Sequence, residues 1–299
     1  MNAKSISIIA AALLFTGILV YQFFPSAEPT TKTPVVKQSK PEQYVVVLDL
    51  SDRVTKPGQI EADKQLIEKT FEEFRLKVQS QLCVNSNDRF QVFIAPQKNL
   101  PFDKDVESQK LTLDMPSLKA TEKAKALKEF GEKLRVKLDS LYALAYHGQE
   151  SKNYQGSNIW QFFNETLPEL TNASTTTKLV VLTDGYFDFE ENNAVMNSGG
   201  LSTSTNFLGN LRQSKSWKED IESGRYGILP VKKNFPNLMV SVIGIRSKYE
   251  NNLLEAEMLK YLWERWCINS DNANNLTLVS HGSITNTSTK LKAFLQSEI

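Results

Sequence analysis

The chain has 299 residues, with 35 Lys and Arg against 34 Asp and Glu and a formal net charge of +1. That balance lacks the basic field of a nucleic-acid binder, so no nucleic-acid partner is expected. Two cysteines, Cys83 and Cys267, are too few for a disulfide framework or a four-ligand zinc site, although one bridge between them stays open.

From Ile6 to Phe24 the chain carries no charge, close to the ~20 residues that cross a bilayer. Residues 1–24 are therefore expected to form an amino-terminal transmembrane helix. A cleaved signal peptide cut near Ala27 is the rival, although Pro25 fits an A-x-A cleavage site poorly. With Lys4 and the amino group inside, the bulk of the chain is expected outside the cytoplasm, periplasmic or on the cell surface, after a single pass. Residues 25–43 hold four prolines among polar residues and read as a semi-extended tether.

The first strand is Tyr44–Leu48, an uninterrupted apolar run ending in Asp49, Leu50, Ser51, Asp52 and Arg53. Such a run predicts a central parallel strand covered on both faces. Its terminal aspartate then sits at the carboxyl edge of the sheet, where open α/β folds place ligands. A helix is predicted over Gln59–Leu82, with Ile60, Ile67, Phe71, Phe74 and Val78 on one stripe and charges opposite. Phe90–Ala95 is a second strand, parallel to the first through a right-handed crossover.

Residues 97–116 read as irregular. A long amphipathic helix follows from Ser117 to Tyr146, with Leu127, Phe130, Leu134, Leu138 and Leu141 facing inward. Another is predicted over Ile159–Leu170, with Ser157 as its cap. Lys178–Thr183 is a buried strand that runs into Asp184 and Gly185. Residues 190–229 read as an excursion at one edge of the sheet. A strand over Leu238–Ile245, a helix over Leu253–Cys267, a strand over Leu276–Ser280 and a helix over Thr287–Ser297 complete the chain. The fold class is α/β: a doubly wound, mostly parallel sheet flanked by helices. It occupies residues 44–299, with insertions near 97–152 and 189–235.

Three loops at one sheet edge then carry oxygen: Asp49 and Ser51, Ser157, and Asp184. Two carboxylates and two hydroxyls form a hard cage suited to Mg²⁺ or Mn²⁺. The motifs D-L-S-D-R (Asp49–Arg53), G-S-N-I-W (Gly156–Trp160) and L-T-D-G (Leu182–Gly185) resemble those of a von Willebrand factor A-type domain, from about Tyr44 to the end. That family carries D-x-S-x-S, a threonine in a middle loop, and an aspartate in a T-D-G loop. The resemblance implies a degenerate metal-ion-dependent adhesion site at Asp49, Ser51, Ser157 and Asp184, binding a protein partner through a carboxylate that completes the metal's shell.

Arg53 stands where the motif has its second serine, and a guanidinium repels a cation. Either it points away, with Asp52 helping the cage or holding Arg53 aside, or it folds over Asp49 and Asp184 and replaces the metal by bidentate pairing.

A lone aspartate after a buried strand also serves as a plain cap or loop anchor. His147 and His281 read as structural, and Tyr261, Trp263 and Trp266 as core. With no G-x-S-x-G elbow and Ser51 in place of a second acid after Asp49, no enzymatic activity is expected. The expectation is a membrane-anchored extracytoplasmic protein-binding or scaffold module. The alternatives are a metal-dependent hydrolase and a structural subunit of an envelope complex with a defunct site.

Overall fold

Strand β1 (Glu42–Leu48) lies inside the sheet, hydrogen-bonded in parallel register to β2 (Arg89–Ile94) on one side and β4 (Thr176–Leu182) on the other. The computed structural model describes residues 40–98, 100–149, 156–188, 195–249, 252–270 and 275–298, and no side chains for 147–149. The expected membrane helix, all but the end of the tether and the side chain of His147 lie outside these. Among the described residues no helix is long and apolar enough to cross a membrane.

The sheet has six strands in the order β3-β2-β1-β4-β8-β9. Here β3 is Thr112–Asp114, β8 is Leu238–Ile245 and β9 is Leu276–Ser280. All pairings are parallel except β2 with the edge strand β3. The period-2 alternation of a strand divides the apolar runs between two faces. Tyr44, Val46, Leu48, Val180 and Leu182 pack under α1 (Gln59–Ser80), α3 (Ala120–Gln149) and α9 (Ile284–Gln296). Val45, Val47, Leu179 and Val181 pack against α8 (Leu253–Asn269) and the segment that opens with α4 (Ile159–Gln161). That segment passes through a π turn (Phe162–Thr166) into α5 (Leu167–Leu170). Helices on both faces make the mixed α/β sheet doubly wound.

Several expectations change. The irregular 97–116 stretch contains a helix, α2 (Lys104–Lys110), capped by Asp103, besides β3. The 190–229 excursion covers a face of the sheet and not its edge. Its Leu208, Leu211, Ile221 and Ile228 are buried in the second apolar layer, on α6 (Leu208–Leu211), α7 (Trp217–Glu222) and the small sheet β5-β6-β7 (Asn197–Ser198, Leu201–Ser202, Gly227–Ile228). Cys83 and Cys267 are both free thiols, packed against opposite apolar layers. Trp263 and Trp266 are core, as expected.

Candidate functional site

The strand order reverses between β1 and β4. Chain leaving β1 returns through α1 on one face, while chain leaving β4 returns through the insertion on the other. The two carboxyl ends part there, at the topological switch point of an open α/β sheet. Asp49 stands there, its N–H bonded to the Leu182 carbonyl at 3.1 Å.

The Asp49 carboxylate ties three loops together. Its Oδ1 accepts from the Ser51 N–H at 2.9 Å and the Ser157 hydroxyl at 2.6 Å, and its Oδ2 from the Thr183 hydroxyl at 2.8 Å. Ser157 is thus spent on Asp49 and does not cap the helix that follows. Asn158 does so instead, accepting from the Gln161 N–H at 2.9 Å. The loop bearing Ser157 also runs against the loop after Asp184: a Cβ on Gly156 would lie 2.1 Å from the Asp188 carbonyl oxygen. Only glycine permits that approach.

Asp184 is buried beside this cluster, its Oδ1 accepting from the Tyr186 N–H at 3.3 Å. Burial, and then the negative charge of Asp49, push its carboxyl up to about 7, against a smaller pull from Lys248 and Arg53. The backbone after it is pinned. Trp263 donates to the Gly185 carbonyl at 2.9 Å, and the Tyr186 hydroxyl donates to the buried carboxylate of Glu255. Glu255 also accepts two bonds from Arg212, both at 2.8 Å, and one from Asn252 at 3.2 Å.

Arg53 does not fold over the two acids. It is buried and turned to α1, where Nη1 and Nη2 reach Asp63 at 2.7 and 3.0 Å. Nη1 also donates to the Asp49 backbone carbonyl at 3.2 Å. Asp63 accepts further bonds from Gln59 at 2.8 Å and Tyr142 at 3.1 Å. The group that holds Arg53 aside is therefore Asp63 and not Asp52, which is exposed on the 3₁₀ turn Asp52–Thr55.

Asp49, Asp184 and the neighbouring hydroxyls are the residues that could hold a small hard cation. Two buried carboxylates that repel each other stand with hydroxyls on neighbouring loops, and the nearest guanidinium is already neutralised. Among the described residues no group of three or more His, Cys, Asp or Glu could hold a metal. Any cation here therefore rests on two acids, hydroxyls and water. Three residues at this edge escaped the sequence reading. Thr183 sits inside the L-T-D-G motif. Asp63 lies on the apolar stripe of α1, three residues after Ile60 and four before Ile67, which is a legible signal for a buried acid. Arg246 follows β8 with its N–H on the Asp184 carbonyl at 3.0 Å, and nothing local marks it.

No family model and no curated relative matches the chain. Among solved structures, it is similar to an aerotolerance-related membrane protein of Bacteroides fragilis (TM-score 0.34, 12% identity, 85% of this chain and 98% of that one). It is also similar to BatB, a conserved hypothetical protein of Bacteroides thetaiotaomicron (TM-score 0.34, 12% identity, 86% and 100%). A third similarity is to the pilus adhesin SpaC of Lactobacillus rhamnosus GG (TM-score 0.43, 11% identity, 87% and 30%). Overlaps of this size leave the functional reading to the chain's own residues.

Proposed function

We propose that the chain is a protein-binding module of the von Willebrand factor A type, held at a membrane by residues 6–24 and displayed outside the cytoplasm. The observation that carries this reading is the meeting of Asp49, Ser157 and Asp184 at the switch point, with Arg53 drawn off to Asp63. Asp49, Ser51, Ser157 and Asp184 would hold Mg²⁺ or Mn²⁺. A cation there supplies a charge-accepting position for a partner's carboxylate. The pairing of Arg53 with Asp63 favours this reading over that of a sealed, purely structural site.

The test is capture of the partner by the full chain from solubilised membranes of the source cell, with Asp184→Ala alongside. Capture by the natural chain and its loss in a variant of unchanged circular dichroism supports the edge site. Equal capture by both refutes it.

A further inference from the structure

Leu82 stands in a backbone conformation that leucine avoids. It follows Gln81, the carboxyl cap of α1, with φ +60° and ψ +107°. Glycine is the usual occupant of that place, because an L side chain is strained at positive φ. Burial does not offset the strain: Leu82 is 70% exposed, and Val84, on the 3₁₀ turn Cys83–Asn85 that follows, is 48% exposed. An apolar tip held out on a strained turn is a surface waiting to be covered.

Hydrogen bonds fix this tip beside the point where the chain enters the sheet. The Glu42 N–H donates to Asp88 Oδ1 at 2.8 Å, and Ser86, which ends the turn, donates to Asp88 Oδ2 at 2.8 Å. Residues 82–88 precede β2, so they lie at the amino edge of the parallel strands, at the other end from Asp49 and Asp184. The same edge carries Ile268, 48% exposed near the end of α8, and the exposed Lys232 and Lys233 ahead of β8. A bond from the Val231 N–H to Ser270 Oγ at 3.1 Å holds those two segments together. Lys40 is exposed at the entry itself. The acids beside these cations are mostly neutralised. Glu42 pairs with Lys77 and Lys178, Asp114 with Arg89, and Asp88 is buried, while Glu298 is exposed.

Two observations select the occupant. The first is the chain ahead of this edge: from Phe24 to Lys40 it reaches at most about 60 Å even when fully extended. A bilayer holding residues 6–24 is thus tethered to the amino edge, and tethering lets a few weak contacts suffice. The second is charge: lysines beside exposed aliphatic side chains match the headgroups and acyl boundary of an anionic bilayer. We propose that the Leu82–Val84 turn docks reversibly into the anionic bilayer that holds residues 6–24, which turns the Asp49–Asp184 edge away from the membrane and toward a partner. The proposal rests on the reading of residues 6–24 as a membrane anchor and adds a second contact to it.

The test is spin-label spectroscopy on the full chain in nanodiscs of phosphatidylcholine with a minor share of phosphatidylglycerol. The label sits at position 87 (Asn87→Cys with Cys83→Ala), exposed beside the turn. The expected result is that it collides more with lipid-soluble oxygen than with a water-soluble nickel chelate. A label at the far edge (Tyr249→Cys) should show the reverse. Phosphatidylcholine alone should lower the docked-to-free ratio at least about tenfold, since the lysines then meet no anionic surface. Leu82→Gly fits the same backbone without strain, so it should resist urea at least as well as the natural chain and yet dock at least about tenfold less. The proposal is overturned by a label at 87 open to the nickel chelate, by undiminished docking of Leu82→Gly, or by equal docking to phosphatidylcholine alone. Dipolar broadening between labels, the mark of a second copy covering the turn, overturns it too. Alkaline carbonate extraction separates the proposal from the reading beneath it. A chain that stays in the membrane but leaves the label in water loses the docking contact alone, whereas a chain released by carbonate overturns the anchor and the contact together.

Discussion

Arg53 and Asp63 are joined by two N–H···O bonds, at 2.7 and 3.0 Å, inside the core, where their side chains are 2% and 0% exposed. A cation next to the acid pair is thereby neutralised by a third acid from α1. Removing one member strands a buried charge, so Asp63→Asn should lower stability by about 3–5 kcal/mol. Combining it with Arg53→Met should cost less than the sum of the single changes, by about 1–3 kcal/mol. Urea denaturation of the four proteins measures this, and strict additivity would show that the pair is not coupled.

Asp184 makes stability depend on pH in a direction opposite to most acids. Its carboxyl is lifted from 3.8 to about 7 in the folded chain. Between those values the folded chain holds a proton that the unfolded chain has released. Stability from this group is therefore greatest in acid and declines as pH rises from about 4 through 7, by a few kcal/mol at roughly 1.4 kcal/mol per pH unit. Asp184→Asn removes the charge and should be the more stable protein at pH 8, with the advantage vanishing near pH 4. Parallel urea profiles of the two proteins across that range would contradict the assignment.

The same carboxyl sets an expectation for cations. Because Asp63 already neutralises Arg53, saturable heat is expected when Mg²⁺ or Mn²⁺ is titrated into the natural chain at pH 8. Below pH 7 binding must displace the Asp184 proton, so affinity should fall and protons be released into the buffer. Asp184→Asn should give no heat. A silent natural chain that gains binding only when Arg53 and Asp63 are both replaced would mean the pair still blocks the site.

Much of this edge was legible because its signals are local. The apolar runs ending in Asp49 and Asp184 are strands of a buried parallel sheet, and the residues after such strands fall at one edge. What was not legible depends on distant chain. Ser157 and Asn158 are equally good caps by residue type, and only the 2.6 Å bond to Asp49, 108 residues away, decides which is spent elsewhere. Asp63's place on the buried stripe is a local signal, but its partners Arg53 and Tyr142, 10 and 79 residues away, are not. The pairing of β3 with β2 spans only three residues, too short for any periodicity to register. The insertion covers a face because its few apolar residues collect there in three dimensions, not along the sequence.

Glu255 connects the site to that insertion. Its buried carboxylate accepts from Tyr186, two residues past Asp184, and from Arg212, which directly follows α6. Glu255→Gln keeps the shape but turns one acceptor into a donor facing Arg212, with an expected loss of about 2–3 kcal/mol for a bond to a charged group. If the loop after β4 depends on this anchor, Mg²⁺ affinity should fall as well, although Glu255 is not one of the proposed cation ligands. Calorimetry alongside urea denaturation separates the two effects, and lost stability with unchanged affinity would make Glu255 a fold contact only.

Gly244 tests how closely β8 must lie against the turn after β4 that carries Thr183. Its φ is +105°, and a Cβ there would come 2.8 Å from the Thr183 carbonyl oxygen and 3.4 Å from Arg53 Nη2. The β8–β9 register slips at this position, between Ile243 and Ile245. Gly244→Ala therefore meets backbone, not a yielding side chain, in a conformation that L residues avoid, at an expected cost of about 1–3 kcal/mol. The relief available is for β4 to move away, which would pull the Thr183 hydroxyl from Asp49 and weaken the acid cluster along with the fold. Gly209→Ala is the control, since a Cβ there meets nothing within 4 Å and on α6 should change stability by less than about 1 kcal/mol. If Gly244→Ala melts like Gly209→Ala, the close packing of β8 on the Thr183 turn is not what holds this edge in shape.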